Sequence, residues 1–508
     1  MTVLQRSRKT PSLQVVLMFA CALSFIGVGY TYLAGLLTAY GDVKSRLLIA
    51  RSVTDGLHPG VAQLGGVWLP LPQLLMLPFT AVNGLYASGF AGSFVSMASY
   101  LVAVIFLYRL IHVASGSRPA AAIGALTFAT PNVLYMQSVA MSEMPFIALT
   151  LAATFYLLEW TRRTDRLSSL LLAAAAIFLA TLTRYEGWIL LSCAVVVVAY
   201  RGVRGLGREK TEALLIYFGL LASLGVVAWF TWNQVIFGDA LYFIRSEYAV
   251  REQFLVTEQQ ITQGGDLNLA FLIYAWAVVD NSGWIAAAIA TLGLALWLLS
   301  RRPWSQKLAV LILLFPMAFF TLALFKGGIV VIQTPRLLPN HYQNIRYGLL
   351  MLPAIGFFAG IAAQRVMLRL PIAVLLVGSA LITWNAGAVN FMEAQGDKAN
   401  GDSAIQASAA DWIRLHYDGG LVLGARRNNE ALFFETALPL STFVYEGDRD
   451  VWEAALNDPN GRVRWVLMRR NLRGIEDKVW QSLHDQPVMS AKFELMFHDT
   501  GVEIYRAR

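Results

Sequence analysis

Long apolar runs recur along the first three quarters of the chain, and short polar segments separate them. A helix that crosses a bilayer needs about 20 mostly apolar residues. The run at 69–82 is short and rich in proline, so we interpret it as a membrane-surface or re-entrant segment. The other runs predict about eleven transmembrane helices, at 13–37, 86–108, 119–136, 143–159, 168–183, 187–200, 212–235, 284–299, 308–325, 347–363 and 371–387.

The pattern changes after about residue 388, where a polar segment, EAQGDKANGDS, reads as a linker. Alternating strands and helices are typical of a small α/β domain. We therefore expect an α-helical polytopic membrane protein at 1–387 and a soluble C-terminal α/β domain at 388–508. The helical patterns lie at 403–416, 450–457 and 475–484, and the β-like runs at 420–425, 441–445, 463–469, 492–498 and 502–506.

Composition agrees with a membrane protein. Hydrophobic residues make up 57% of the chain and charged residues 14%, whereas soluble domains carry about 25% charged residues. The two cysteines, Cys21 and Cys193, lie in apolar runs and are read as small buried side chains. The net charge of +8 comes from bases in short loops between apolar runs. It therefore indicates membrane orientation and not a nucleic-acid partner.

The positions of lysine and arginine predict that orientation. If the N-terminus is cytoplasmic, the inside segments hold 17 Lys or Arg in 57 residues, and the outside connections hold 9 in 116. Short cytoplasmic loops are enriched in these residues. An odd number of spans then places the C-terminal domain outside, in the periplasm or its equivalent. The longest connections, of 31 and 48 residues, are also outside, so we expect the functional site on the outer face.

Ionisable residues next to a bilayer are costly and are candidate functional residues. The loop after the first span contains Asp42, Arg46 and Arg51 in the segment GDVKSRLLIARS. Asp42 and Arg46 are four residues apart and would share a helix face. An interface helix with one ion pair would also explain them.

Two further outer turns carry isolated charges. Glu143 lies in YMQSVAMSEMPF, and Arg184 and Glu186 lie in LTRYEGW. Glu143 would also fit a helix N-terminus. A local ion pair in a tight turn would equally explain Arg184 and Glu186.

The fourth place is the segment QTPRLLPNHYQNIRYGLLMLP, which contains His341, Arg346 and Tyr347. An arginine at the end of a span can simply extend to the interface. Positive charge is disfavoured on the outer side, however. Arg346 therefore suggests an anionic partner such as a lipid phosphate.

Together these residues supply carboxylates and cations at one membrane depth. Sugar transfer from a lipid phosphate requires a base for the acceptor hydroxyl and cations for the phosphate leaving group. The lipid tail of such a donor would stay in the bilayer while its head group reaches the outer loops.

The order of these segments resembles the GT-C superfamily of membrane glycosyltransferases, especially the branch of protein O-mannosyltransferases and aminoarabinose transferases. The matching segments are GDVKSRLLIARSVTDGLHPG, VWLPLPQLLMLPF, YMQSVAMSEMPF, LTRYEGW and NIRYGLLMLPAI. The resemblance implies an enzyme of a bacterial inner membrane that uses a polyprenyl-phosphate sugar.

The resemblance also implies residue roles. Asp42 matches the catalytic acid of the first outer loop, Glu143 the acid of the second, and Arg346 the arginine that binds the polyprenyl phosphate. Arg184 and Glu186 match a recurrent polar turn. Many members have paired acids in the first loop, but here Gly41 and Val43 flank Asp42, so we predict chemistry without a metal or other cofactor.

The expected function is inverting sugar transfer to a protein, lipid or glycan acceptor, with Asp42 as base. The other charged and polar residues of the outer face would bind the donor or the acceptor: Arg46, Arg51, Glu143, Arg184, Glu186, His341, Arg346 and Tyr347. A multi-spanning transporter, a lipid-linked oligosaccharide ligase or polymerase, and a non-catalytic scaffold are the alternatives. Transporters usually place charges near the midplane and show internal symmetry, and neither is evident here.

Overall fold

The computed structural model describes residues 12–249, 264–327, 330–337 and 342–508. In these ranges the first 400 residues are almost entirely helical. Their α-helices are Leu13–Leu33, Gly41–Ser52, Leu71–Thr80, Asn83–Ser88, Phe90–Ser115, Arg118–Ala125, Pro131–Met136, Glu143–Arg162, Leu167–Thr181, Glu186–Val203, Arg208–Phe237, Tyr242–Arg245, Leu267–Ser282, Trp284–Leu299, Trp304–Leu311, Phe315–Lys326, Leu352–Ala362, Arg369–Ala386 and Val389–Ala399. Short 3₁₀ turns at Val61–Leu64, Leu126–Ala129, Ile312–Leu314, Ile345–Met351 and Val366–Leu368 join or extend them.

Eight helical segments of the described residues are long and apolar enough to cross a membrane, and the pair Leu267–Ser282 and Trp284–Leu299 adds a ninth if it is one span. The protein is therefore an integral membrane protein. Two of the expected spans are shorter than the sequence pattern indicated. The run at 119–136 is interrupted by a 3₁₀ turn and by Pro131, and the run at 168–183 forms a helix of 15 residues, Leu167–Thr181.

Glycines allow the central helices to pack closely. A Cβ atom on Gly293 would lie 1.8 Å from the carbonyl oxygen of Phe358, and one on Gly92 would lie 2.0 Å from the Cβ of Ala140. Small residues at helix contacts are typical of membrane proteins, because apolar lipid gives helices little hydrophobic reason to associate.

Helices that are too short to cross a membrane alone lie at the end of the bundle next to the C-terminal domain, here called the domain side. Gly41–Ser52, the interface helix, buries Val43, Leu47 and Leu48 completely. The expected connection at 236–283 contains a further helix, Leu267–Ser282, which meets the next helix at 108°. Gly283 forms this bend with φ of +82°, a value that residues with a Cβ rarely adopt.

The C-terminal domain has the α/β organisation that the sequence predicts. Its five strands are β1 (Val422–Gly424), β2 (Phe443–Val444), β3 (Trp465–Arg469), β4 (Phe493–Asp499) and β5 (Val502–Ala507). They form one sheet in the order β2-β1-β3-β5-β4, parallel from β2 to β3 and antiparallel from β3 to β4. The helices are Gly401–His416, Glu430–Glu435, Asp450–Asn457, Lys478–Leu483 and Pro487–Lys492, with 3₁₀ turns at Leu440–Thr442 and Glu446–Asp448.

The segment interpreted as a linker is helical, so this interpretation was wrong. Val389–Ala399 is a helix that buries Val389, Asn390, Glu393 and Ala394. Its buried residues recur every three to four positions, which is helical spacing. The mixture of charged residues and glycine in the segment hid this pattern.

Polar contacts tie the C-terminal domain to the domain side of the bundle. Lys44 Nζ lies 2.6 Å from Glu435 Oε1, and Arg426 Nη1 donates to Ser52 Oγ at 3.0 Å. The Tyr445 hydroxyl reaches the Gln63 side chain at 2.5 Å. The domain therefore rests directly on the interface helix and the loop that follows it.

Candidate active site

Ionisable residues stand at the start of four helical segments on the domain side. Glu143 and Glu186 are the first residues of their helices, and Asp42 and Arg346 are the second residues of theirs. Helix N-termini carry partial positive charge, which favours carboxylates there. The structure brings these four residues, distant in sequence, into one network.

Arg346 is the centre of this network and is only 5% exposed. Its Nη2 donates to Asp42 Oδ2 at 2.5 Å, and its Nε donates to Glu143 Oε1 at 3.3 Å. Its Nη1 lies 3.6 Å from Glu393 Oε1. One guanidinium therefore faces three carboxylates and fixes the position of Asp42.

Arg184 forms the second half of the network. Its Nη1 donates to Glu143 Oε1 at 3.0 Å and to Ser142 Oγ at 2.9 Å. Its Nη2 donates to Glu186 Oε1 at 2.6 Å. Burial alone would lower the pKa of Arg184, but Glu186 and Glu143 raise it above its usual value. Arg184 is therefore firmly charged and already paired.

Arg46 is the cation of the group that has no carboxylate partner among the described residues. Its Nη2 donates to Ser142 Oγ at 3.2 Å, and its Cζ lies 4.5 Å from the centre of the Trp68 ring. Its Nε is buried and has no hydrogen-bond partner. Burial lowers the pKa of Arg46, and Glu143 and Asp42 act in the opposite direction. This guanidinium has donors left for an anion.

Tyr347 places an aromatic ring between the two paired arginines. The Cζ atoms of Arg184 and Arg346 lie 5.0 and 5.3 Å from the centre of its ring. The ring in turn stacks on Phe320, with ring centres 5.3 Å apart. These cation–π contacts hold both guanidinium groups in fixed positions.

Glu393 belongs to the site and was missed by sequence reasoning. Its Oε2 accepts from the Tyr40 hydroxyl at 3.0 Å, and its Oε1 accepts from the Asn344 N–H at 2.5 Å. The residue lies in the segment EAQGDKANGDS, which the sequence pattern indicates as a linker. An acid directly after the apolar run VNFM was the signal that could have identified it.

The structure does not bring Arg51 together with the other site residues. Its Nε donates to Asp55 Oδ2 at 2.9 Å, its Nη1 to the Thr80 carbonyl at 2.7 Å and its Nη2 to Asn83 Oδ1 at 2.7 Å. These hydrogen bonds link the interface helix to the segment that contains Thr80 and Asn83. His341 lies outside the described residues.

Asp42 is the accessible carboxylate of the network. Its side chain is 41% exposed, whereas those of Glu143, Glu186 and Glu393 are 2%, 8% and 4% exposed. An accessible carboxylate beside cations can take a proton while the cations stabilise a departing anion. In the described part of the chain, no three His, Cys, Asp or Glu side chains are arranged to hold a metal ion.

No protein-family model matches the sequence, and no curated protein matches it. Solved structures do match its fold. The apo structure of ArnT from Cupriavidus metallidurans has a TM-score of 0.62 and 14% identity over 97% of both chains. The same protein bound to undecaprenyl phosphate has a TM-score of 0.60 and 13% identity, again over 97% of both chains.

A third match is the apo oligosaccharyltransferase of Archaeoglobus fulgidus, with a TM-score of 0.52 and 11% identity over 98% of this chain and 75% of the other. ArnT and this enzyme are both GT-C membrane glycosyltransferases. The chain has the GT-C fold. The resemblance drawn from the order of the sequence segments is therefore confirmed at the level of the fold.

Proposed function

We propose that this protein is an inverting glycosyltransferase that moves a sugar from a polyprenyl-phosphate donor to an acceptor on the outer face of the membrane. One observation carries the proposal: the accessible Asp42 carboxylate lies in a buried network with Arg346 and Glu143, which stand at the starts of two converging spans. The charge asymmetry of the loops supports the outward orientation. The family resemblance implies that the membrane is the inner membrane of a bacterium.

In the proposed reaction, Asp42 removes the proton of the acceptor hydroxyl. Its Oδ2 is bonded to Arg346, so Oδ1 is the oxygen that would receive the proton. The acceptor oxygen attacks the anomeric carbon as the bond between that carbon and the phosphate oxygen breaks. The electron pair leaves with the phosphate, and a single displacement inverts the configuration.

Arg46 is our first choice for the cation that binds the phosphate. Arg346 and Arg184 already face carboxylates, whereas Arg46 keeps a buried Nε without a partner. Arg346 then positions Asp42, and together with Arg184 it adds positive potential for the leaving group. Glu143 and Glu186 would hold the two arginines, and Tyr347 would fix their planes.

The donor class rests on the fold and on the charges together. ArnT, which shares the fold, has been solved with undecaprenyl phosphate bound. A polyprenyl phosphate places an anion at the interface and a long apolar tail in the bilayer, which suits an arginine cluster at the ends of spans.

The decisive experiment is transfer of a radiolabelled monosaccharide from a synthetic polyprenyl-phosphate donor in proteoliposomes. We expect product with inverted configuration, and transfer that continues in EDTA because no metal is proposed. Uptake of free sugar without donor cleavage would instead support a transporter. A donor carrying an oligosaccharide, supplied in parallel, tests the ligase alternative.

A further inference from the structure

A large cavity, lined by both charged and apolar groups, lies where the C-terminal domain meets the bundle. Its volume is about 730 Å³, and its walls come from 62–65, 237–248 and three parts of the C-terminal domain. It is distinct from the carboxylate–arginine network, none of whose members lines it. No step of the proposed reaction involves this cavity.

A second cavity, of about 220 Å³, connects the first to the interface helix. The two share Tyr242, Tyr248 and Arg427 in their walls, and the smaller one also reaches Ser45 and Ile49. Residues three and four apart lie on the same face of a helix. Ser45 and Ile49 therefore share a helix face with Asp42, and the smaller cavity reaches the interface helix one turn from the base.

The walls of the larger cavity are held in place. The His58 ring lies 3.1 Å from Asp448 Oδ1, and Arg449 Nη2 donates to the Ile236 carbonyl at 2.9 Å. Each contact joins the C-terminal domain to a different segment of the membrane domain. The large cavity is thus a built feature of the folded protein.

The chemistry of the lining points to a class of ligand. In the described residues, six carboxylates and four basic side chains line the larger cavity. Asp450 and Glu453 are exposed there, and their side chains pair with no other described residue. The Tyr242 ring, stacked on Phe237 at 4.2 Å, adds a flat apolar surface.

Carboxylates that lack partners accept strong hydrogen bonds from hydroxyl groups, and aromatic rings cover apolar ring faces. A sugar has both hydroxyl groups and apolar ring faces. The excess of acids disfavours an anionic ligand such as a phospholipid head group, and the ten charged side chains of the described lining do not suit a lipid tail.

We propose that this cavity binds the acceptor and that the acceptor is an uncharged carbohydrate, which enters from the aqueous side. The donor would approach Asp42 from the membrane. The assignment rests on the proposed glycosyl transfer, and it names the acceptor class that the reaction itself leaves open.

Two neighbouring tryptophan substitutions test the cavity. Ala62 is exposed and lines it, so Ala62→Trp fills the space. Val61 is 57% exposed and lines neither cavity, so Val61→Trp is the matched control. Glu453→Gln removes one partnerless carboxylate, and Glu494→Gln, at an exposed position outside the cavity, is its control.

The full-length protein in nanodiscs is applied to an array of neutral and acidic oligosaccharides. We expect binding of neutral glycans, weakened at least about tenfold in Ala62→Trp and unchanged in Val61→Trp. Failure of the wild type to bind any neutral glycan would overturn the proposal, and so would equal binding by Ala62→Trp. Equal melting temperatures exclude misfolding as the cause.

Donor cleavage is measured on the same samples, which separates the two proposals. Glycan binding without any cleavage of the polyprenyl-phosphate donor would leave the acceptor site standing as a glycan site and refute sugar transfer. Donor cleavage that is stimulated by a lipid extract or by peptides, and not by neutral glycans, would refute the acceptor assignment while leaving the transfer reaction intact.

Discussion

Replacing Asp42 by asparagine removes one negative charge from the network and keeps the shape of the side chain. The amide oxygen of asparagine can still accept the hydrogen bond that Arg346 Nη2 gives to Asp42 Oδ2. Arg346 also keeps its contacts with Glu143 and Glu393. The variant therefore loses a base without leaving a buried cation unpaired.

The expected losses of transfer rate and of folding free energy differ in size. A positioned general base contributes about 10²- to 10⁴-fold to a rate, which corresponds to about 3 to 5 kcal/mol of barrier. The Asp42 side chain is 41% exposed, so solvent screens its pair with Arg346, and the loss in folding free energy is about 1 kcal/mol or less. Activity should fall far more than stability.

The assay pairs sugar transfer in proteoliposomes with thermal unfolding in detergent. Asp411→Asn is the control, because Asp411 is an exposed helical acid with an arginine partner, Arg414, in the C-terminal domain. We expect Asp411→Asn to leave both readouts unchanged. Transfer by Asp42→Asn at the rate of the wild type would refute the role of Asp42 as base. Loss of transfer together with a large fall in melting temperature would attribute the defect to folding instead.

Three more predictions concern the network and the packing. Arg46→Ala should raise the KM for the donor about ten- to hundredfold, because a charge-assisted bond is worth about 1.5 to 3 kcal/mol; an unchanged KM in the transfer assay would exclude Arg46 from phosphate binding. Glu143→Gln should lower the free energy of unfolding by about 3 kcal/mol, because it leaves two buried arginines short of a carboxylate; thermal unfolding at wild-type temperature would contradict this. Gly293→Ala should cost about 1 to 3 kcal/mol, because its Cβ would meet a carbonyl oxygen, whereas Gly219→Ala, with open space around it, should cost nothing in the same measurement.

The main residues of the site could be predicted because they are charges in apolar surroundings. Asp42, Glu143 and Arg346 each interrupt or border a long apolar run, where the cost of an ionisable group makes it conspicuous. Glu393 also borders an apolar run, but the polar residues that follow it made the segment resemble a linker. Its burial depends on how the helix Val389–Ala399 packs against Pro131–Met136 and the turn Ile345–Met351, which no local pattern encodes.

The placement of Arg51 shows a different limit. The residue lies in the same loop as Asp42 and Arg46, and sequence proximity suggested a shared role. On a helix, however, Arg51 is five residues from Arg46, which turns it about 140° away at 3.6 residues per turn. Composition identified the segment, but helical geometry decides which of its charges face the site.

The strands of the C-terminal domain agreed with their sequence runs to within a few residues, since short apolar runs with turn residues between them are local signals. The geometry of the transmembrane spans was harder to predict from the sequence. Pro131 and a 3₁₀ turn divide one expected span, and Gly283 turns the chain by 108° before another. Hydropathy averages over such breaks, so it detects the apolar segment and misses its geometry.

The buried network is hard to explain by stability alone. Taking several charges out of water costs free energy that their mutual attraction barely returns, and apolar residues of similar volume often stabilise a protein as well or better. The network also lies at the starts of three spans, where their partial positive charges add to those of the arginines. A site of this kind is prepared to receive an anion with little rearrangement. It follows that replacing Glu143, Arg184 and Glu186 together by apolar residues should preserve the fold better than replacing Glu143 alone, and should still abolish transfer.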